Sequence, residues 1–286
     1  MDTQSDRETK IVKLKLDIVF KKLFADENNK HVLRRFISDI LDIPYDDITK
    51  IEVENSEVPP DMIGDKLCRL DLRLKVNEEL VNIEIQIKNE RYYNDRALFY
   101  WSKLYTGDLK SGQSYGKLRK SVCINIVNFN LFDWDNYHSE FTMLEKTHHK
   151  PLTDKCAMHF FELKKINRKS LSTDRKELWM QLINAESKEE LDMLKQSNVA
   201  EIQDSIVIIK KMSNDELLRE ATRLREKALH DMATELEDAE ARGKAEGRAE
   251  GRAEGIAEGE AMGIAKIIAR MRAIGVDEST IQAYKS

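Results

Sequence analysis

Residues 70–88 read Leu70-Asp71-Leu72-Arg73-Leu74-Lys75-Val76, a polar turn, then Leu80-Val81-Asn82-Ile83-Glu84-Ile85-Gln86-Ile87-Lys88. Both halves alternate apolar and polar residues, the pattern of two half-buried β-strands. Leu70, Leu72, Leu74 and Val76 share one face, with Asp71, Arg73 and Lys75 on the other. In the second half Val81, Ile83, Ile85 and Ile87 oppose Asn82, Glu84, Gln86 and Lys88. Paired as a hairpin, directly opposed residues share a face, so the two polar faces coincide. A loop over Val76–Glu79 sets Asp71 opposite Glu84, whereas a loop at Glu78-Glu79 sets it opposite Gln86. Either register gathers two carboxylates and an amide on one surface. Those are oxygen donors suited to a divalent ion such as Mg²⁺, which takes one or two carboxylates and keeps several waters.

Around this hairpin the 286-residue chain reads as mixed α/β. Helical patterns start at Asp17 and span His31–Leu41, and Ile48–Val53 alternates as a strand. Pro59-Pro60 and Gly64 mark a loop before the hairpin. An aromatic-rich helix follows over Arg91–Leu109, then strands over Ser121–Asn128, Phe141–Leu144 and Cys156–Leu163. Beyond residue 170 the spacing predicts helices over Leu178–Lys195, Val199–Met212 and Asp215–Leu236. The expected organisation is an α/β domain over residues 1–170, a helical region over 171–240, a Gly-x-x-Glu repeat over 241–263 and a short helical C-terminus over 264–286.

Composition narrows the function classes. Charged residues make up 35% and hydrophobic residues 41%, with no apolar run near the ~20 residues that span a bilayer. The start lacks the basic and apolar regions of a signal peptide, and three cysteines without a CxxC pair suit reduced thiols. A cytoplasmic location without membrane attachment is expected. The net charge of -5 disfavours nucleic-acid binding by bulk charge. The acidic excess lies after residue 170, however, which leaves the α/β domain near neutral and able to hold phosphates on a local basic patch. Lys110, Lys117, Arg119 and Lys120 surround Tyr115 in a Gly-containing loop and form such a candidate patch. Cys156 and His159 are an odd number apart in a strand and would face opposite ways, against a zinc site with His148-His149.

With these elements in order, the chain resembles the PD-(D/E)xK nucleases, and within them the recombination-promoting nuclease (Rpn) and transposase-like group. The matching features are Asp17-Ile-Val-Phe-Lys-Lys-Leu-Phe, Asp71 followed by Glu84-Ile85-Gln86, and Arg96-x-x-x-Tyr100. Gly112-Gln-Ser-Tyr115, Glu162-Leu-Lys-Lys and the terminal Gly-x-x-Glu repeats complete the ordered set. The resemblance implies a restriction-endonuclease-like core, with a mixed sheet flanked by helices and an α-helical C-terminal region. It implies a Mg²⁺-dependent DNA endonuclease, with Mn²⁺ as a substitute, acting on double-stranded DNA in recombination or mobile elements. Asp71, Glu84 and the Ile85 carbonyl are the implied metal ligands, and Asp71, Glu84 and Gln86 the implied catalytic set. Gln86 replaces the lysine of the parent motif, and an amide carries no charge to a phosphate. Lys88 is the nearest candidate to supply that charge. Asp17 is either an accessory acid or a helix N-cap. The rival reading is a nuclease-derived DNA-binding protein with little or no catalysis that forms a homo-oligomer through its tail.

In that tail Gly243, Gly247, Gly251, Gly255, Gly259 and Gly263 recur every four residues, a stripe that drifts about 40° per repeat on an α-helix. Six glycines cost such a helix on the order of 5 kcal/mol relative to alanine. The segment is therefore expected to be a linker, or else a helix held by a second copy.

Overall fold

The computed structural model describes residues 11–54, 57–58, 68–69, 72–89, 91–107 and 109–285. Asp71 and the Pro59–Gly64 loop lie outside the described residues. The chain begins with helices α1 (Asp17–Phe24) and α2 (Lys30–Leu41). Strands β1 (Ile51–Glu54), β2 (Glu57–Val58), β3 (Cys68–Arg69), β4 (Leu72–Val76) and β5 (Glu79–Gln86) follow. Helix α3 (Tyr93–Thr106) leads to β6 (Ser121–Val127), β7 (His138–Phe141) and β8 (Cys156–Glu162). Helices α4 (Arg175–Ile183), α5 (Lys188–Leu194), α6 (Ala200–Ser213), α7 (Glu216–Ala273) and α8 (Glu278–Lys285) complete the chain.

Six strands form one mixed sheet in the order β1-β4-β5-β6-β8-β7, with β2 and β3 paired separately. β4 runs antiparallel to β1 and β5, β6 runs parallel to β5 and β8, and β7 returns antiparallel on the far edge. A parallel β5–β6 pair needs a long crossover, and α3 supplies it. β6, whose every residue is buried, is the centre of the sheet. A sheet of this kind with flanking helices matches the fold that the resemblance implies.

The β4–β5 register pairs Leu72 with Ile83, Leu74 with Val81 and Val76 with Glu79. Of the two registers open to the sequence, this is the first, but its turn is tighter, with only Asn77-Glu78 unpaired. Asn77 takes φ 51°, a left-handed conformation that asparagine tolerates better than most residues. Its Oδ1 accepts from the Thr49 and Lys50 amides at 3.0 and 3.1 Å, and its Nδ2 donates to the Asp47 carbonyl at 2.9 Å. One side chain thus ties the hairpin turn to the chain entering β1.

Leu72, Leu74, Val81, Ile83, Ile124 and Ile126 share one face of the sheet and are buried. Among the helices, Phe20, Phe24, Phe36 and Trp179 form an aromatic cluster, and Trp179 donates its indole N–H to buried Asp39 at 2.9 Å. On the other face α3 buries Tyr93, Ala97, Trp101 and Leu104 against the sheet. The expected helix over Leu178–Lys195 is two helices, because Ser187 and Glu190 form a capping box that starts α5 anew. The strand expected at Phe141–Leu144 lies three residues earlier, where His138 pairs with Phe161 and Phe141 with Met158.

Residues 1–226 form one compact unit and 227–286 another. Of the two readings of the glycine repeat the helix is the one found, α7 running as one 58-residue helix through residues 216–273. Each four-residue repeat sets strong helix formers around its glycine, and Lys244 pairs with Glu240 one turn away at 2.6 Å. Within the second unit α8 folds back on α7, burying Ile281 and Ile268, with Arg272 bridging to Glu278 at 2.7 Å.

Three consequences can be measured. Asn77→Ala removes the turn latch and is expected to cost about 2 kcal/mol in chemical denaturation. His138 Nε2 meets His159 Nδ1 at 3.1 Å, and burial lowers both imidazoles from 6.5 to about 4. The unfolded chain therefore binds more protons between pH 6.5 and 4, so their contribution to stability is present above 6.5 and lost as pH falls through that window. His159→Phe should flatten the fall of the thermal midpoint between pH 6.5 and 5. In the tail, a Cβ at Gly247, Gly251 or Gly255 meets nothing within 4 Å. Alanine at each should stabilise the helix by about 1 kcal/mol, read as higher ellipticity and slower proteolysis.

Candidate active site

Because paired residues share a face, Asn82, Glu84 and Gln86 of β5 lie beside Arg73 and Lys75 of β4 and beside Cys123 and Asn125 of β6. This is the face that α3 covers. Glu84 is 5% exposed and Asn82 1%, so a carboxylate and an amide sit side by side inside the protein. A buried carboxylate needs a cation or hydrogen bonds to stay charged. The Arg96 guanidinium from α3 approaches Glu84 Oε2 at 4.0 Å and lies over the Tyr100 ring, 5.1 Å from its centroid.

Asn125 pairs with Glu84 across the β5–β6 ladder and is itself buried. Its Oδ1 accepts from the Tyr93 hydroxyl at 3.3 Å, and its Nδ2 donates to the His159 carbonyl at 3.2 Å. This backing was not singled out from the sequence. Its signal was a lone asparagine inside the apolar run Val122–Val127. The amide of Asn82 has no hydrogen-bond partner among the described residues, although it is almost wholly buried. A polar cavity wall of this kind calls for water or an ion.

The ladder to β6 uses the even-numbered residues of β5, as the Leu80 amide to Lys120 and the Asn128 amide to Gln86 show at its two ends. The Ile85 carbonyl therefore points to the β4 side, while its side chain is buried on the opposite face from Glu84. The Glu84 carboxylate and the Asn82 amide oxygen are donors of the kind that a hard divalent ion takes. Among the described residues no group of three or more His, Cys, Asp or Glu could hold a metal. The second carboxylate of the expected set, Asp71, lies outside those residues.

The remaining expected site residues are scattered. β5 ends at Gln86, which is partly exposed. Lys88 lies in a bend past the strand, so the alternation that put it on the face of Glu84 does not reach it. Asp17 is not an N-cap, a position held by Leu16, and both its oxygens engage Arg225 at 3.0 and 2.9 Å. That bidentate pair commits Asp17 to holding α1 against the start of α7. Lys110, Tyr115, Lys117, Arg119 and Lys120 lie in the loop from α3 to β6, with Tyr115 79% exposed. This loop meets β5 at its beginning: Lys120 reaches Glu79 at 3.2 Å, and its carbonyl accepts from Leu80. Four residues along a strand separate that end from Glu84, about 13 Å. Cys156 and His159 lie on opposite faces of β8, as their spacing requires.

No described helix is long and apolar enough to cross a membrane. No curated protein and no solved structure matched the chain. A family model described as PD-(D/E)XK nuclease family transposase matches residues 14–239, which include the whole sheet and the helices around it. With four-fifths of its length inside that match, the chain belongs to the PD-(D/E)XK nuclease family transposases.

Proposed function

We propose that this protein is a divalent-metal-dependent endonuclease that hydrolyses phosphodiester bonds of double-stranded DNA in recombination or the movement of mobile elements. The observation that carries this reading is the buried Glu84 on β5, held on the polar face of the hairpin beside an arginine and an amide with no hydrogen-bond partner among the described residues. A carboxylate taken out of water in this way is a place where a cation is strongly favoured, which supports a functional site.

Asp71, Glu84 and the Ile85 carbonyl would hold the ion, for which Mg²⁺ is the natural choice and Mn²⁺ a substitute. When bound it supplies an activated water and neutralises charge on the phosphate. Gln86, two residues beyond Glu84 on the same face, orients the attacking water through its amide. The amide accepts and donates hydrogen bonds without titrating, so it contributes position rather than charge. Lys110, Lys117, Arg119 and Lys120 with Tyr115 would follow the DNA backbone away from the scissile bond, since their loop lies about 13 Å along the strand. Asp17 and Lys88 have no part in this reading. The C-terminal part of α7 exposes Ile256, Met262, Ile264 and Ile267, which supports self-association through the tail.

A second reading, DNA binding without efficient cleavage, draws support from Gln86 standing where a lysine would carry charge. Incubation with supercoiled plasmid separates the two. Nicking is expected with Mg²⁺ and not with EDTA, and Asp71→Ala and Glu84→Ala should each slow it by about 100-fold or more. Nicking at the wild-type rate in both variants would sink the site. DNA retention without any nicking would select the second reading.

A further inference from the structure

Past residue 240, helix α7 presents two different surfaces. Gly243, Gly247 and Gly251 turn to one side. At about 100° per residue, Ile256, Ile264, Ile267 and Ile274 fall within an arc of about 80° on another. These isoleucines are 56%, 44%, 45% and 76% exposed. Ile274 follows the last residue of α7, but its amide still donates to the Arg270 carbonyl at 3.2 Å and keeps it in the helical frame. Ala245, Ala249 and Ala253 extend the arc toward the N-terminal end, giving a seam about 44 Å long. Ile256 and Ile274 are about five whole turns apart, so the seam stays on one side of a nearly straight helix.

An apolar row of this length left in water favours a partner. Its borders carry opposite charge. Arg248, Arg252, Lys266 and Arg270 line one side. Glu246, Glu250 and Glu254 line the other, where α8 takes over further along by covering Ile268. Two copies related by a two-fold axis running along the helices bring the basic border of each against the acidic border of the other. A two-fold axis running across them sets arginine against arginine and glutamate against glutamate. Exposed ion pairs add little affinity, but repulsion along a whole border decides orientation. Glu260 interrupts the row between Ile256 and Ile264. In a parallel pair it meets its own copy, which weakens the association.

We infer that α7 forms a parallel, in-register pair with a second copy of this chain through the apolar seam over residues 245–274. This deepens the self-association of the tail and is independent of the nuclease reading. In such a pair residue 216, where α7 begins, lies at the same end in both copies.

Sedimentation velocity of the full-length protein should show a concentration-dependent dimer. Ile267→Glu should weaken it about 100-fold, because each pair loses two isoleucines from the seam. Glu260→Leu should tighten it about 10-fold by removing the like-charge contact. Gly247→Ala and Gly251→Ala, which lie off the seam, should leave the dissociation constant unchanged. On mild oxidation Ala249→Cys should cross-link to itself, above the background set by the three native cysteines of the wild type. An antiparallel pair would instead join Ala249→Cys to Met271→Cys when the two variants are mixed. A wild type that stays monomeric at concentrations on the order of 100 μM overturns self-association and this pair with it. A dimer indifferent to Ile267→Glu or Glu260→Leu, one weakened by the glycine substitutions, or a mixed disulfide overturns the parallel seam and leaves self-association standing. None of these readouts involves DNA, so the nuclease reading stands or falls separately.

Discussion

The pairing of Leu72 with Ile83 across the β4–β5 hairpin is the constraint on which the rest of this protein depends. Side chains alternate along a strand, so a slip of one residue would carry Asn82, Glu84 and Gln86 to the other face of the sheet. Two features prevent it. Leu74, Val76, Val81 and Ile83 must stay in the apolar layer, each about 1.5–3 kcal/mol better buried than exposed. Asn77 fixes the turn by hydrogen bonds to Asp47, Thr49 and Lys50, segments that lead into the neighbouring strand. The hairpin is consequently held at its end as well as along its length.

That register creates an electrostatic problem which the crossover helix addresses. Placing Glu84 inside the protein removes water from a carboxylate, and α3 brings the Arg96 guanidinium to within 4.0 Å of it. A tight bidentate pair, such as Asp17 with Arg225, fixes structure. The Arg96–Glu84 contact instead joins the crossover helix to the buried polar row of β5.

Membership of the PD-(D/E)XK nuclease family transposases accounts for the sheet and its flanking helices, since the match covers residues 14–239. The residues beyond add a helix whose glycines have open space around them. Glycine without a close neighbour gives up helix stability, so in the protein alone these positions are not explained by packing.

Much of the fold was legible because period-two and period-3.6 patterns report burial directly: the hairpin, β6, β8, α2 and α3 all follow from spacing. The sequence by itself determined which residues could share the polar face, including Glu84 and Gln86, and that Gln86 carries no charge. Tertiary structure decided what surrounds them. It set which of two registers forms, turned Asp17 toward Arg225, and carried Arg96 from a helix to a strand that its spacing could not locate. It also put Asn125 beside Glu84 through a parallel pairing distant in sequence. Local patterns encode the face on which a side chain sits, but contacts between elements are fixed only when their buried faces meet, and charge compensation is of that second kind.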